Sequence, residues 1–206
     1  MNGRRQPGVF SIQLADTAAI GHVSAGLDLY RLFEKLAYEN RPPGVPLDVN
    51  RAVQLGVPAV TNLALGLELL LKVHHFQVVG EYPFGHDVQK LGSSLPAPEL
   101  DRVREIHKSL FDDPSVSKGV EFSYSTRPPG DGEKKWEPVD VSTYDLAIAY
   151  VGPMYVRWRY IYEEFQDEMD IRVAFAPLYF LTRAIHLAIR GFKGSTTINM
   201  TDGPPA

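Results

Sequence analysis

The stretch PAVTNLALGLELLLKVHHF, residues 58–76, decides the fold of this chain. Its apolar side chains recur every three to four residues, which is the period of a buried helix face. Pro58 suits the first turn of such a helix, where an amide has no intrahelical partner. Leu69 and Val73 widen the apolar sector, so we expect burial on more than one side. Glu68 and Lys72 fall on the opposite side and form an i,i+4 pair in the favourable order.

The same periodicity predicts the other helices, which cover residues 16–38, a short start at 85–91, 98–111, 142–165 and 173–192. Asp16 or Thr17 is expected to cap the first of them, and Ser142 or Thr143 the one that begins near residue 142. Prolines and glycine stop the first helix, and residues 41–57 form a connector. We therefore predict an all-α fold, an antiparallel bundle of about five helices.

A long polar loop covers residues 112–141, where proline, glycine and charged residues are frequent. Within it, residues 120–124 alternate weakly between apolar and polar side chains, which predicts a small hairpin. Residues 194–206 have the composition of a flexible tail. We expect one domain over residues 1–206, with the loop as an insertion in the bundle.

The composition excludes several classes of function. The chain has no cysteine, so a disulfide scaffold, a thiolate zinc site and a cysteine nucleophile are ruled out. The net charge is −4, so nucleic acid would have to bind through a local basic patch. No secretory signal core is present, and the charge-free apolar stretches are shorter than the roughly 20 residues that span a bilayer. We therefore predict a soluble cytoplasmic protein with no membrane association.

Known catalytic motifs are also missing from the sequence. It contains no phosphate-binding glycine loop and no G-x-S-x-G elbow, so ATPase, dehydrogenase and serine hydrolase functions have no support, and no cofactor is expected. The dipeptide His86-Asp87 would need further ligands to hold a metal, and no downstream aspartate completes such a set. We expect no metal there, and instead expect one of the two side chains to accept from free amides at a short helix start.

Two segments in sequence order carry a family resemblance. NLALGLELLLK at residues 62–72 holds Glu68 and Lys72, and GHDVQKL at residues 85–91 holds His86 and Asp87. Together they resemble the HEPN superfamily of prokaryotic helical domains, and WRYIYE at residues 158–163 is similar to a segment of some uncharacterised relatives. The resemblance implies a helical bundle, frequent homodimerisation and a role in toxin–antitoxin or defence systems, with these four residues as a structural motif.

Catalytic members of that superfamily are metal-independent endoribonucleases with an arginine, four to six residues, and a histidine near the dimer interface. Arg102 and His107 are the one pair at this spacing here. Histidine can move the 2′-hydroxyl proton and arginine can hold the phosphate. However, Val103 stands where the family usually has a polar residue, and a chain of this composition contains such a pair by chance. The alternative is a solvated arginine and a half-buried histidine on an amphipathic helix.

A basic stripe marks the last predicted helix. On a helical wheel its members share one side, and they are Arg172, Tyr179, Arg183, His186, Arg190 and Lys193. No acidic residue occurs from 171 to 201, so the stripe can contact RNA phosphates, with Tyr179 as a stacking surface. The alternative is a solvated helix face that pairs with acidic side chains of residues 163–168. Arginine and aromatics also alternate over residues 155–162, where core packing or a dimer interface is favoured.

The sequence therefore favours a non-catalytic interaction module that forms a homodimer and binds RNA or a cognate antitoxin or other partner protein. The alternative is a metal-independent endoribonuclease toxin that uses Arg102 and His107. A third hypothesis is a purely structural helical protein, which internal pairing of the basic stripe with acids would favour. A nuclease dimer should bring two copies of the pair into one exposed cleft, whereas a module should leave the pair apart or buried.

Overall fold

Six α-helices and one pair of short strands form the described part of the chain. The computed structural model describes residues 11–39, 48–116, 121–125, 139–159 and 170–191. The elements are α1 (Ile12–Glu34), α2 (Val49–Val79), α3 (Val88–Ser93), α4 (Ala97–Asp112), β1 (Glu121–Ser125), α5 (Tyr144–Arg159), β2 (Asp170–Ala174) and α6 (Phe175–Ile189). A π-helical turn over Lys35–Glu39 follows α1. The predicted all-α bundle is confirmed.

The central helix is α2, which contacts α1, α3, α5 and α6. Its leucines at positions 63, 67, 70 and 71 are each at most 1% exposed, as the periodicity predicted. The predicted start of this helix was wrong, because α2 begins at Val49 and Pro58 lies inside it. Asp48 caps it by accepting a hydrogen bond from the Arg51 amide at 3.0 Å. One proline removes one backbone hydrogen bond, and burial of Ala52 and Leu55 in the added turns offsets that loss.

Two glycines let α1 and α2 approach closely. A Cβ atom on Gly26 would lie 2.7 Å from Leu63 Cγ, and one on Gly66 would lie 2.6 Å from Val23 Cγ2. Real carbon atoms do not approach that closely, so any larger side chain at either position would push the two helices apart. The close contact brings Val23 and Leu63 together on the side of the bundle that faces α6.

The helix ends follow ordinary capping chemistry, though not always at the predicted residue. Asp16 and Thr17 do not cap α1, because Ser11 Oγ accepts from the Leu14 amide at 3.3 Å and the helix already begins at Ile12. For α5 the predicted cap is confirmed, since Thr143 Oγ1 accepts from the Leu146 amide at 3.2 Å.

The structure contains one strand of the predicted hairpin, but this strand pairs with a segment outside the loop. β1 pairs antiparallel with β2, with Glu121 opposite Ala174, so the partner strand lies beyond α5 and outside the loop. Residues 173 and 174 are consequently extended, and α6 begins at Phe175 with Pro177 in its first turn. Residues 117–120 and 126–138 of the loop, 160–165 of the predicted helix, and the tail 194–206 lie outside the described residues.

One helix passes a length and hydropathy test for a membrane span. Residues Asn50–Val79 have a mean hydropathy of 1.4 over their most apolar window, and 61% of that window is buried inside the bundle. Glu68 and Lys72 are also buried on this helix. Burial against the other helices accounts for its apolar character, since α2 is the core helix of the fold.

Candidate nucleic-acid interface

A cleft opens where α6 packs over the contact between α1 and α2. It holds about 20 Å³ and is lined by Val23, Leu27, Leu63, Tyr179, Thr182, Arg183 and His186. We call it the α6 cleft. The first three residues form an apolar wall from α1 and α2, and the last four form a polar wall from α6. Among these lining residues none is acidic, so the cleft presents hydrogen-bonding groups and positive charge to a ligand.

Three members of the predicted basic stripe meet in this cleft. Tyr179, Arg183 and His186 follow one another at intervals of four and three residues, so they share one side of α6. Each of the three is half-buried. The Tyr179 ring packs edge-on against Phe180, with ring centroids 5.6 Å apart. The helical spacing read from the sequence therefore does place these side chains together.

The remaining members of the stripe do not line the cleft. Arg172 belongs to β2 and not to the last helix, so its predicted place on the helical wheel was wrong. Its side chain is not among those that the structure describes. Lys193 also lies outside the described residues. Arg190 is exposed and donates from Nη2 to Asp16 Oδ2 at 2.8 Å, which ties the end of α6 to α1.

The electrostatics of the cleft depend on its histidine. Burial lowers the pKa of His186, and the nearby guanidinium groups of Arg190 and Arg183 lower it further, while Asp16 acts in the opposite direction. A neutral imidazole carries one N–H donor and one acceptor nitrogen. His186 therefore offers the cleft a hydrogen bond near neutral pH, and Arg183 supplies positive charge.

Thr182 was missed by the sequence reasoning. It lines the α6 cleft between the stripe residues and is 3% exposed, and its hydroxyl finds no hydrogen-bond partner among the described residues. Most buried hydroxyls have such a partner, so the Thr182 hydroxyl is an exception, and with less than 1 Å² of its oxygen accessible it lies behind the cleft surface. The only signal in the sequence was its position between Tyr179 and Arg183.

The proposed nuclease pair has a different placement. His107 is 0% exposed, and its ring lies 5.8 Å from the Phe180 ring and 6.2 Å from the Tyr144 ring. Neither ring nitrogen has a hydrogen-bond partner in the described part of the chain. Burial lowers the pKa of His107 to about 4, a shift that Asp145 only partly opposes. The sequence predicted a half-buried histidine, but His107 is fully buried.

Arg102 lies apart from His107 on α4. Five positions turn a helix through about 500°, which leaves the two side chains about 140° apart. Arg102 is partly exposed and donates to Glu99 Oε2 at 3.4 Å, and the same carboxylate oxygen lies 3.2 Å from His74 Nε2. The structure does not bring Arg102 and His107 together in an exposed cleft, which is the arrangement that the nuclease alternative requires.

Three of the four residues that carry the HEPN resemblance form a hydrogen-bonded cluster, and the fourth caps a helix. Lys72 Nζ donates to Glu68 Oε1 at 2.6 Å, and both side chains are buried, so their predicted position on the polar side was wrong. Lys72 also lies 5.4 Å from the centroid of the Tyr82 ring. His86 Nδ1 lies 2.8 Å from Glu68 Oε1, and Asp87 caps α3 by accepting from the Lys90 amide at 2.8 Å. The capping role predicted for one of the two residues belongs to Asp87.

The described residues form no metal site, and the comparisons with known proteins give no relative. Within the described ranges no group of three or more histidine, aspartate or glutamate side chains could hold a metal ion. Comparisons of this chain with family models, curated proteins and solved structures find no match. The resemblance to the HEPN superfamily therefore stays a prediction, and the local geometry has to carry the functional argument.

Proposed function

We propose that this protein is a non-catalytic RNA-binding module and that the α6 cleft is its contact with RNA. The observation that carries the proposal is the meeting of Tyr179, Arg183 and His186 in one cleft without an acidic lining residue. Guanidinium and imidazole groups bind phosphate oxygens, and a tyrosine ring stacks on an unpaired base. Single-stranded RNA suits the site best, because its bases are free to stack.

The burial of His107 supports a module over a nuclease. An acid–base catalyst must lie within hydrogen-bond reach of the proton that it transfers, and His107 has no exposed surface. The structural alternative gains support at one position, since Arg190 pairs with Asp16.

The proposal includes a homodimer in a toxin–antitoxin or defence context, acting in the cytoplasm. The outer face of α1 supports self-association, because Leu14 and Leu32 are 70% and 52% exposed and lie five turns apart on one side of the helix. Between them Gly21 and Ala25 are exposed and small, so a second helix could approach closely. Sedimentation equilibrium tests this part: a monomer at all concentrations would contradict it.

The RNA proposal is tested by the affinity of the protein for a short, labelled single-stranded RNA, measured by fluorescence anisotropy. Arg183→Gln should weaken binding about tenfold and lower the slope of affinity against salt by about one, as expected for one lost phosphate contact. Arg102→Gln is the matched control on α4, and its affinity should stay within about twofold of the wild type. Equal losses in both variants, or no RNA binding by the folded wild type, would contradict the proposal.

A further inference from the structure

A row of side chains on the outer side of α1 has the spacing of a helix–helix contact. The row, which we call the α1 seam, consists of Leu14, Ala18, Gly21, Ala25, Asp28 and Leu32. The intervals alternate between four and three residues, so the members share one side of the helix. Leu14 and Leu32 are 70% and 52% exposed, and a Cβ atom on Gly21 would meet nothing within 4 Å. Both leucines therefore lie open on the surface of the described protomer.

The order of side-chain sizes along the seam fits a second copy that runs in the opposite direction. In an antiparallel pair centred between Gly21 and Ala25, these two residues lie opposite each other's copies. Leu14 then lies opposite the partner's Leu32 at each end. Two crossing helices are closest at the crossing point and move apart towards their ends. The smallest residues of the seam therefore lie where the helices are closest, and its leucines fill the wider gaps at the ends.

Asp28 favours the antiparallel direction over the parallel one. Its carboxylate is 69% exposed and lies 3.0 Å from the Arg31 guanidinium on the same helix. In a parallel pair the two Asp28 carboxylates would face each other across the seam and repel. In the antiparallel pair Asp28 lies opposite the partner's Ala18, and the two carboxylates are about 15 Å apart along the helix axis.

The apolar surface continues from α1 onto α2. His22, which follows Gly21, has its Nδ1 atom 3.0 Å from Asn62 Oδ1 on α2. Leu65 and Leu69 lie within about 60° of Asn62 on the helical wheel, and both are only partly buried. A second copy seated on the α1 seam can therefore cover apolar surface of both helices, which a single helix contact would not provide.

We propose that two copies of this chain associate through the α1 seam as an antiparallel helix pair, with the two-fold axis between Gly21 and Ala25. A two-fold contact requires one surface to complement itself, and the seam does so in size and in charge. The inference rests on the homodimer proposed above, and it adds the surface, the direction and the register.

This arrangement leaves the α6 cleft of each protomer open. Val23 and Leu27 line the cleft from α1, and they lie about 180° and 140° round that helix from the seam. Helix α4 packs on α5 and α6 and takes no part in the proposed contact. Dimerisation therefore does not bring two copies of Arg102 and His107 together.

The test uses single cysteines, because the chain has none of its own. Leu14→Cys and Leu32→Cys are purified separately, mixed until protomers exchange, and treated with a short bismaleimide crosslinker. About half of the exchanged dimers carry one cysteine of each kind, and these should become covalent dimers. Either variant alone should give none, because each cysteine lies about 27 Å from its own copy in the antiparallel pair.

Glu105→Cys is the matched control for crosslinking. This position is exposed on α4, so the variant should not crosslink with itself or with Leu32→Cys. Sedimentation equilibrium on each uncrosslinked sample shows whether the protein is a dimer before the reagent is added.

A second variant tests the centre of the seam. Ala25 is exposed in the protomer, so Ala25→Glu should fold normally. It places a long charged side chain opposite the partner's Gly21, and the dimer dissociation constant should rise about tenfold or more. Ser109→Glu adds the same charge at an exposed position of α4 and should leave dimerisation unchanged. RNA affinity per protomer should stay within about twofold in both variants.

The outcomes separate this inference from the homodimer itself. Crosslinking of Leu14→Cys or Leu32→Cys alone would show a parallel pair and overturn the proposed direction. A mixture that sediments as a dimer but does not crosslink, or a dimer that crosslinks through Glu105→Cys, would overturn the α1 seam and leave the homodimer intact. A wild-type protein that is monomeric at all concentrations would overturn both.

Discussion

Helices α4 and α6 each carry an arginine and a histidine close together in sequence, but in different surroundings. On α4 the pair Arg102 and His107 has its histidine at 0% exposure, between aromatic rings. On α6 the pair Arg183 and His186 is half-buried beside a cleft. The histidine of the pair that matched a catalytic pattern lies in the core, whereas the histidine of the pair that matched no pattern lines a cleft. Exposure, more than spacing, separates a residue that supports the fold from one that meets a ligand.

The largest effect should come from breaking the ion pair inside α2. Glu68→Leu removes the carboxylate that Lys72 binds at 2.6 Å, and it leaves an ammonium group in a position that is 4% exposed. We expect the free energy of unfolding to fall by about 3 kcal/mol in urea titrations. The double variant Glu68→Leu with Lys72→Met should recover most of that loss, because no buried charge remains.

An exposed pair on α1 provides the control for this experiment. Asp28 and Arg31 lie 3.0 Å apart with side chains that are mostly exposed, so Asp28→Asn should cost about 0.5 kcal/mol or less. If Glu68→Leu costs no more than Asp28→Asn, the buried pair does not stabilise the bundle.

An effect of similar size concerns pH and the buried histidine of α4. Because burial lowers the pKa of His107 to about 4, the unfolded chain binds a proton more readily than the folded one below pH 6.5. This contribution is complete above pH 6.5 and is lost as the pH falls towards 4, by about 3 kcal/mol. Urea unfolding near pH 7 and near pH 4.5 measures it.

The variant His107→Leu isolates that residue from the carboxylates that also titrate in acid. It should flatten the pH dependence by most of the amount assigned to His107, and a remainder from His74 and His186 should persist because burial lowers the pKa of both. RNA affinity should not change in this variant. A pH dependence identical to that of the wild type would show that the imidazole reaches solvent.

The smallest effect concerns RNA binding at the α6 cleft. Here a substitution should strengthen binding and not weaken it. Asp16 binds Arg190 and lies close enough to His186 to oppose part of the lowering of its pKa by burial and by the two arginines. Asp16→Asn removes this negative charge and releases the Arg190 guanidinium, so RNA should bind about threefold more tightly at low salt. The gain should disappear at high salt, where surface charges are screened. Weaker binding by Asp16→Asn would place the RNA away from the end of α6.

Much of the fold was predictable from local sequence, and the two exceptions have different causes. Leucine periodicity placed the centre of α2, and the bounds of α4 differ from the prediction by one residue at each end. The start of α2 was missed because Pro58 outweighed the helical spacing of Ala52 and Leu55. The pairing of β1 with β2 joins segments on either side of α5, which no local pattern specifies.

The candidate site was predictable to a similar extent. The stripe on α6 located Arg183 and His186, because side chains three residues apart share one side of a helix. Its apolar wall was not predictable, since Val23 and Leu63 reach the cleft only through the close packing of α1 on α2. Nor could the sequence reveal that the Thr182 hydroxyl lacks a described partner, because that depends on every neighbour in the fold.

The most direct test of the central claim is to map where RNA touches the protein. An RNA that carries 4-thiouridine at its terminal positions would be crosslinked to the protein by light, and the modified peptides would be identified by mass spectrometry. The account predicts crosslinks at Tyr179 and its neighbours on α6, with the RNA intact. Crosslinks on α4 beside Arg102, together with RNA cleavage that persists in EDTA and is lost in His107→Ala, would contradict it.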